Sequence, residues 1–156
     1  LGDALVREGE PMPLYTVDAS VFLNAFNPYE AGHEISHSFL HRLQEQATPI
    51  IVPTLLLPEV AAAVRRGRGD EGLARQFALA LSRLPHLIWV PLDITLARQA
   101  ADVAARHCLR GSDAVYAAVA LRFGCALVTL DREQRERVSG LIPAYFPEEV
   151  EESGPA

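Results

Sequence analysis

The chain reads as an open α/β fold on a mainly parallel sheet, and three features of its 156 residues predict this. Its short apolar runs are continuous rather than alternating, as in strands covered on both faces. Longer amphipathic stretches separate them, giving a β-α-β alternation. Proline and glycine punctuate the joins, with Pro53 and Pro85 at boundaries and Gly67 and Gly124 at helix stops.

In order, "LYTV" (14–17) is the first strand and leads into a helix over 19–26. A second helix spans 31–46, with Ile35, Phe39 and Leu43 as its apolar face. The strand "PIIV" (49–52) follows, then helices over 54–66 and 70–84. "HLIWV" (86–90) is the third strand, and helices follow over 94–108 and 112–123. "CALVTL" (125–130) is the fourth strand, and a weaker fifth lies near "AYF" (144–146). Residues 1–13 and the acidic stretch "PEEVEESGPA" (147–156) read as flexible ends around one domain over 14–146.

Composition narrows the function. Apolar residues make up 49% and charged residues 22%, an ordinary globular balance. No apolar run reaches the roughly 18 residues of a membrane span. The opening "LGDALVREGEPMP" lacks the apolar core of a signal peptide, so a cytoplasmic location is expected. The first residue is not Met and need not be the native start. Cys108 and Cys125 lack metal-ligand spacing and read as buried free thiols. The net charge of −6 argues against a general nucleic-acid coat, so any such contact must be local. All 14 basic residues are Arg, which suits bidentate phosphate contacts.

Two motifs compete to carry chemistry. "HEISH" (33–37) matches H-E-x-x-H, which on a helix presents two zinc ligands and a general base. At about 100° per residue, however, His33, His37 and His41 fall roughly 200° from the apolar face, toward solvent. Nothing evident supplies a third ligand for a protease cleft.

The second candidate is a set of acids. Open α/β sheets bind ligands beyond the carboxyl ends of their strands. "YTVDAS" puts Asp18 there and "VTLDRE" puts Asp131 there. Asp113 opens the helix "SDAVYAAVALRFG", and Glu59 lies in the helix "PTLLLPEVAAAVRR". Singly, Asp18 reads as a helix cap, Asp131 as a turn residue, and Asp113 as a dipole partner with Ser112 capping. Glu59 is different, because a carboxylate among Leu and Ala residues is costly unless paired or bound to a cation. Four acids gathered at one sheet edge would repel one another, and such a cluster makes sense around Mg²⁺ or Mn²⁺.

These stretches resemble the PIN-domain nucleases, most closely the VapC-type toxins of toxin–antitoxin pairs. The likeness covers roughly residues 14–146. It rests on "VDASVFLNAF", on "PTLLLPEVAAAVRR", and above all on "SDAVYAAVALRFGCALVTLDRE". It implies a three-layer α/β/α sandwich with a sheet of four to five strands. It implies Asp18, Glu59, Asp113 and Asp131 as catalytic and metal-holding acids, with Ser20, Ser112 and Thr129 ordering the site. It implies Mg²⁺, or Mn²⁺, as cofactor and endonucleolytic cleavage of RNA, and as partners a cognate antitoxin protein and a second copy of the chain. Many relatives carry an aromatic shortly after the last acid, where this chain reads "REQRERV". The Arg clusters have two readings. Arg65, Arg66 and Arg68 either complement a helix C-terminus or guide RNA, and Arg132 lies on a solvated helix face or does likewise.

Three other readings are weaker. A phosphoacceptor receiver domain uses a Lys after a late strand, and this chain has none. A haloacid-dehalogenase-type phosphatase carries a second Asp two residues after the first, where Ser20 stands. A PIN ribonuclease with a housekeeping role remains the alternative to a toxin.

Overall fold

A computed structural model describes residues 13–153, with side chains described through residue 150. Residues 1–12, most of the head expected to be a flexible end, lie outside the described residues. The elements run β1 (Tyr15–Val17), α1 (Ala19–Phe26), α2 (His33–Glu45), β2 (Ile50–Pro53), α3 (Leu56–Arg68), α4 (Glu71–Ser82) and β3 (Leu87–Val90). They continue with α5 (Ile94–His107), α6 (Gly111–Phe123), β4 (Ala126–Val128), α7 (Arg132–Val138), β5 (Ala144–Tyr145) and α8 (Pro147–Ser153).

The sheet order is β3-β2-β1-β4-β5, and every pairing is parallel. Strands buried from both sides explain the continuous apolar runs: all four residues of β2 are buried. The chain builds outward from β1 to β3 on one side, then returns to lay β4 and β5 on the other. The strand order therefore reverses between β1 and β4. That reversal opens a crevice at the carboxyl ends of those two strands.

The helices form two packed groups. α1 packs on α2 and α3, and α3 on α4; α5 packs on α6. α6 also lies directly against β1, β2 and β4. Residues Ala114 through Ala120 are all buried, so this helix has no polar side along its middle, as a fully enclosed helix requires. Its small Ala side chains let neighbours approach on every face.

Four details differ from the sequence reading. Gly67 lies inside α3, and the helix stops at Gly69, which takes the left-handed conformation (φ 66°) that an α-helix C-cap favours. Ile35 is 40% exposed, and the buried face of α2 is Ser36, Phe39 and Leu43. The rotation is set where α2 begins: the Asn24 amide donates to Ala31 O (2.9 Å) and Glu30 Oε1 (3.0 Å), fixing the entry turn. Cys108 is exposed and Cys125 buried; Cys108 ends α5 in the left-handed region, pointing out of the core. Residues 147–150, read as the start of a flexible tail, begin α8. Val150 is 4% exposed, and Glu149 accepts from Arg135 at 2.7 Å.

Candidate active site

Asp18 follows β1 and caps α1. Its Oδ1 accepts from Ser20 N (3.1 Å) and Ser20 Oγ (2.5 Å), and its Oδ2 accepts from Thr129 Oγ1 (2.6 Å). Its own N–H donates to Val128 O (3.2 Å), and Ser20 Oγ accepts from Leu130 N (3.0 Å). These bonds stitch the end of β1 to the end of β4 across the switch point. The capping role and a place in the crevice thus coincide in one residue. Asp18 is only 6% exposed. Burial pushes its carboxyl up to about 6; the Ser20 and Thr129 hydroxyls pull against this, and the Asp113 charge adds to it.

Asp131 caps α7, accepting from Gln134 N at 3.1 Å. Its own N–H donates to Thr129 Oγ1 (3.0 Å), a local turn that ends β4 at Val128, earlier than the run "CALVTL" suggests. Asp113 lies in the first turn of α6 and is half-buried. Burial raises its carboxyl first and the Asp131 charge next, with Arg110 opposing, then Glu133 adding and Arg137 opposing. Ser112 is half-buried beside it.

Glu59, in the first turn of α3, is half-buried. Its partner is Tyr116, whose hydroxyl donates to Oε1 at 2.6 Å. Burial raises the Glu59 carboxyl, the Tyr116 bond lowers it, and the Asp113 charge raises it. Burial and the adjacent Glu59 hold Tyr116 far above its ordinary range, so it remains a donor. The cost of placing Glu59 among apolar neighbours is therefore met by one neutral hydroxyl on α6.

Asp113 is the hub of the set: its charge is felt by Asp18 and by Glu59, and it feels Asp131. Among the described residues, no three His, Cys, Asp or Glu side chains converge closely enough to hold an ion together. A zinc-protease site, which needs three protein ligands, is not supported by that geometry. Mg²⁺ typically takes one or two carboxylates and fills its shell with water and phosphate oxygens. Carboxylates coupled in pairs, with oxygen donors throughout, fit that demand.

The histidines of "HEISH" lie along α2. His33 is half-buried and its Nδ1 is 2.9 Å from Asn24 O, while His37 and His41 are exposed. His33 is thus tied to α1 rather than fully solvated.

The arginines separate. Arg65, Arg66 and Arg68 are exposed in the last turn of α3. Arg66 lines a shallow groove of about 450 Å³ together with Glu59 and Ala62. Arg68 lines a neighbouring groove with Asn27 and Glu30. The Arg132 guanidinium lies 6.0 Å from the centre of the Phe146 ring, beside α8. Two residues escaped the sequence reading. Tyr116 was visible three residues after Asp113, at helical spacing, but its partner is 57 residues away. Gln134 is 1% exposed, hidden in a stretch whose composition suggests a solvated face.

A sequence profile of the PIN domain matches residues 15–139, so the chain belongs to the PIN-domain family. Among solved structures it is similar to Mycobacterium tuberculosis VapC20, a sarcin–ricin loop cleaving toxin. That match has TM-score 0.66 and 20% identity, covering 83% of this chain and 95% of that one. It is also similar to FitAcB from Neisseria gonorrhoeae (TM-score 0.65, 17% identity, 86% and 98% covered). A third, PAE2754 from Pyrobaculum aerophilum, is 27% identical with TM-score 0.61 over 88% and 93% of the two chains. No curated protein matches the chain. No described helix is long and apolar enough to cross a membrane.

Proposed function

We propose that this protein is a metal-dependent endoribonuclease and the toxin of a VapBC-type pair. One observation carries the reading. Asp18 is buried at the switch point, held by hydroxyl and main-chain donors and repelled by Asp113. The ionised form of such a group is stabilised by a divalent cation. Asp18, Glu59, Asp113 and Asp131 are the acids from which Mg²⁺ or Mn²⁺ would draw its one or two carboxylate ligands, with water and phosphate oxygens completing the shell. A bound ion of this kind lowers the pKa of a water and neutralises charge on a phosphodiester.

The remaining work falls to the chain's own side chains. Ser20 and Thr129 fix both oxygens of Asp18. Tyr116 fixes one oxygen of Glu59. A carboxylate of the set not fully engaged with the metal accepts a proton from the attacking water. Arg66, which shares a groove with Glu59, offers a bidentate contact to an RNA phosphate. Arg65 and Arg68, in the same last turn of α3, serve the backbone of a longer RNA, and Arg132, on α7 beside Phe146, is a separate candidate for such a contact.

The toxin assignment draws on the solved relatives, several of which are toxin–antitoxin complexes, including one from Klebsiella pneumoniae. A cognate antitoxin and a second copy of the chain are the expected protein partners, and the cytoplasm the expected site of action. The test is cleavage of a panel of structured RNAs with Mg²⁺ or Mn²⁺, beside Asp18→Asn. Cleavage that needs the metal and is lost by orders of magnitude in the variant supports the reading. Full activity in excess EDTA refutes it.

A further inference from the structure

Gln134 is a deeply buried polar side chain beside the site that the proposed chemistry does not use. Its Oε1 lies 2.9 Å from Thr129 Oγ1, and its Nε2 is buried with no partner. Thr129 Oγ1 has three polar neighbours: Asp18 Oδ2 at 2.6 Å, the Gln134 amide, and Asp131 N, which donates to it at 3.0 Å. A hydroxyl owns one proton and two lone pairs. An ionised Asp18 only accepts, and the Asp131 N–H only donates. The Gln134 amide is the one partner able to face the hydroxyl either way.

With its oxygen inward, the amide competes with Asp18 for the single proton and leaves a buried NH2 unpaired. With its NH2 inward, the hydroxyl accepts twice and gives its proton to Asp18, so all three of its neighbours are matched; the buried atom left without a partner is then the Gln134 oxygen, which is tolerated better than an unpaired NH2. The two ends of a Gln side chain are told apart by such networks, and buried donors are rarely left without partners. We propose that Gln134 is a positioning residue: its Nε2 donates to Thr129 Oγ1 and thereby commits the Thr129 proton to Asp18 Oδ2. The Gln134 main-chain N–H holds Asp131 Oδ1 as well (3.1 Å). One residue on α7 therefore sets the orientation of acids on both sides of the switch point, Asp131 directly and Asp18 through Thr129.

This inference rests on the nuclease reading for its consequence, but not for its geometry, and the test separates the two. In 15N-resolved NMR of the wild type, the Gln134 side-chain NH2 protons are expected to be protected from solvent exchange. Thr129→Val should shift them. In kinetics, Gln134→Met, which keeps the length and removes the amide, should lower kcat about fivefold to tenfold, the effect of one neutral hydrogen bond. KM should stay within about twofold, because the residue does not touch RNA. In a Thr129→Val background, Gln134→Met should cause no further loss, since it acts through that hydroxyl. Losses that multiply would overturn the proposal, as would an amide that exchanges freely or ignores Thr129→Val. If the wild type cleaves no RNA, the nuclease reading fails by itself, and the amide resonances still decide the hydrogen bond.

Discussion

Replacing Asp18 by Asn should make the metal-free protein more stable at neutral pH, although it removes the acid most central to the proposed activity. The Asp18 carboxyl is raised from 3.8 to about 6 by burial. The sign follows from linkage. A group whose folded pKa is raised favours the folded state fully below its unfolded value, and that contribution is lost as pH rises through the folded value. The window is therefore pH 3.8 to about 6. Above it, the ionised carboxylate costs about 2–3 kcal/mol, at roughly 1.4 kcal/mol per unit. Asparagine mimics the protonated carboxyl in shape and charge, and should recover most of that. For a domain of this size, the gain is about 5–10 °C in melting temperature. The assay is thermal unfolding followed by circular dichroism, in EDTA, for both proteins between pH 4 and pH 7.5. The two should melt together near pH 4 and separate above pH 6, with the variant higher. Adding Mg²⁺ should then raise the wild type and leave the variant nearly unmoved. A melting difference that does not change with pH, or a variant less stable at pH 7.5, would refute the electrostatic account of this site.

Three further outcomes are expected. Glu59→Gln should abolish RNA cleavage with little change in stability, whereas Tyr116→Phe should cut the rate about tenfold by freeing Glu59; steady-state kinetics and melting curves of both check this. His33→Ala combined with His37→Ala should keep the ribonuclease rate within a few-fold, while lowering stability by about 1 kcal/mol through loss of the His33–Asn24 bond. A loss of activity as deep as that of Asp18→Asn would put α2 in the active site. Induced in a host, the wild-type gene should arrest growth, the neighbouring small open reading frame should restore it, and Asp18→Asn should be harmless; equal growth in all strains at verified protein levels would favour a housekeeping ribonuclease.

The fold was legible because its signals are local. Each strand is a continuous apolar run, and each of the first six helices lies within a few residues of its expected span. Asp18 and Asp131 were legible for a related reason: an acid near the end of a parallel strand is carried to the crevice by topology alone. Ser20 and Thr129 sit two residues from those acids, close enough for sequence spacing to imply contact. What sequence could not supply was partnership across the fold. Glu59 reads as an uncompensated charge until α6 brings Tyr116 against it. Gln134 sits among Arg and Glu residues in "REQRERV", and only the docking of α7 against β5, with Gln134 meeting Thr129 just past β4, decides which turn faces inward. The start of the expected tail is a similar case. "PEEVEESGPA" is acidic and looks like a solvated end, yet Val150 finds a place in the core and Glu149 finds Arg135.

These long-range contacts have a common chemical character. The side-chain donors that Asp18 and Glu59 receive come from Ser20, Thr129 and Tyr116, all of them hydroxyls. Arg110 and Arg137 temper Asp113 alone, and Arg137 is already shared with Glu133 and with Cys108 O. A hydroxyl orients a carboxylate without cancelling its charge. A salt bridge in the same place would fix the geometry equally well but neutralise the acid. The network thus holds the carboxylates still while leaving their negative field intact. Under the proposed function, such a centre would attract whatever cation can reach it: a divalent metal with RNA, or an Arg or Lys side chain offered by an inhibitor. Because both would draw on the same uncancelled charge, occupancy by one should weaken the other, and a partner that inserts a basic side chain here would silence the enzyme by taking the metal's place.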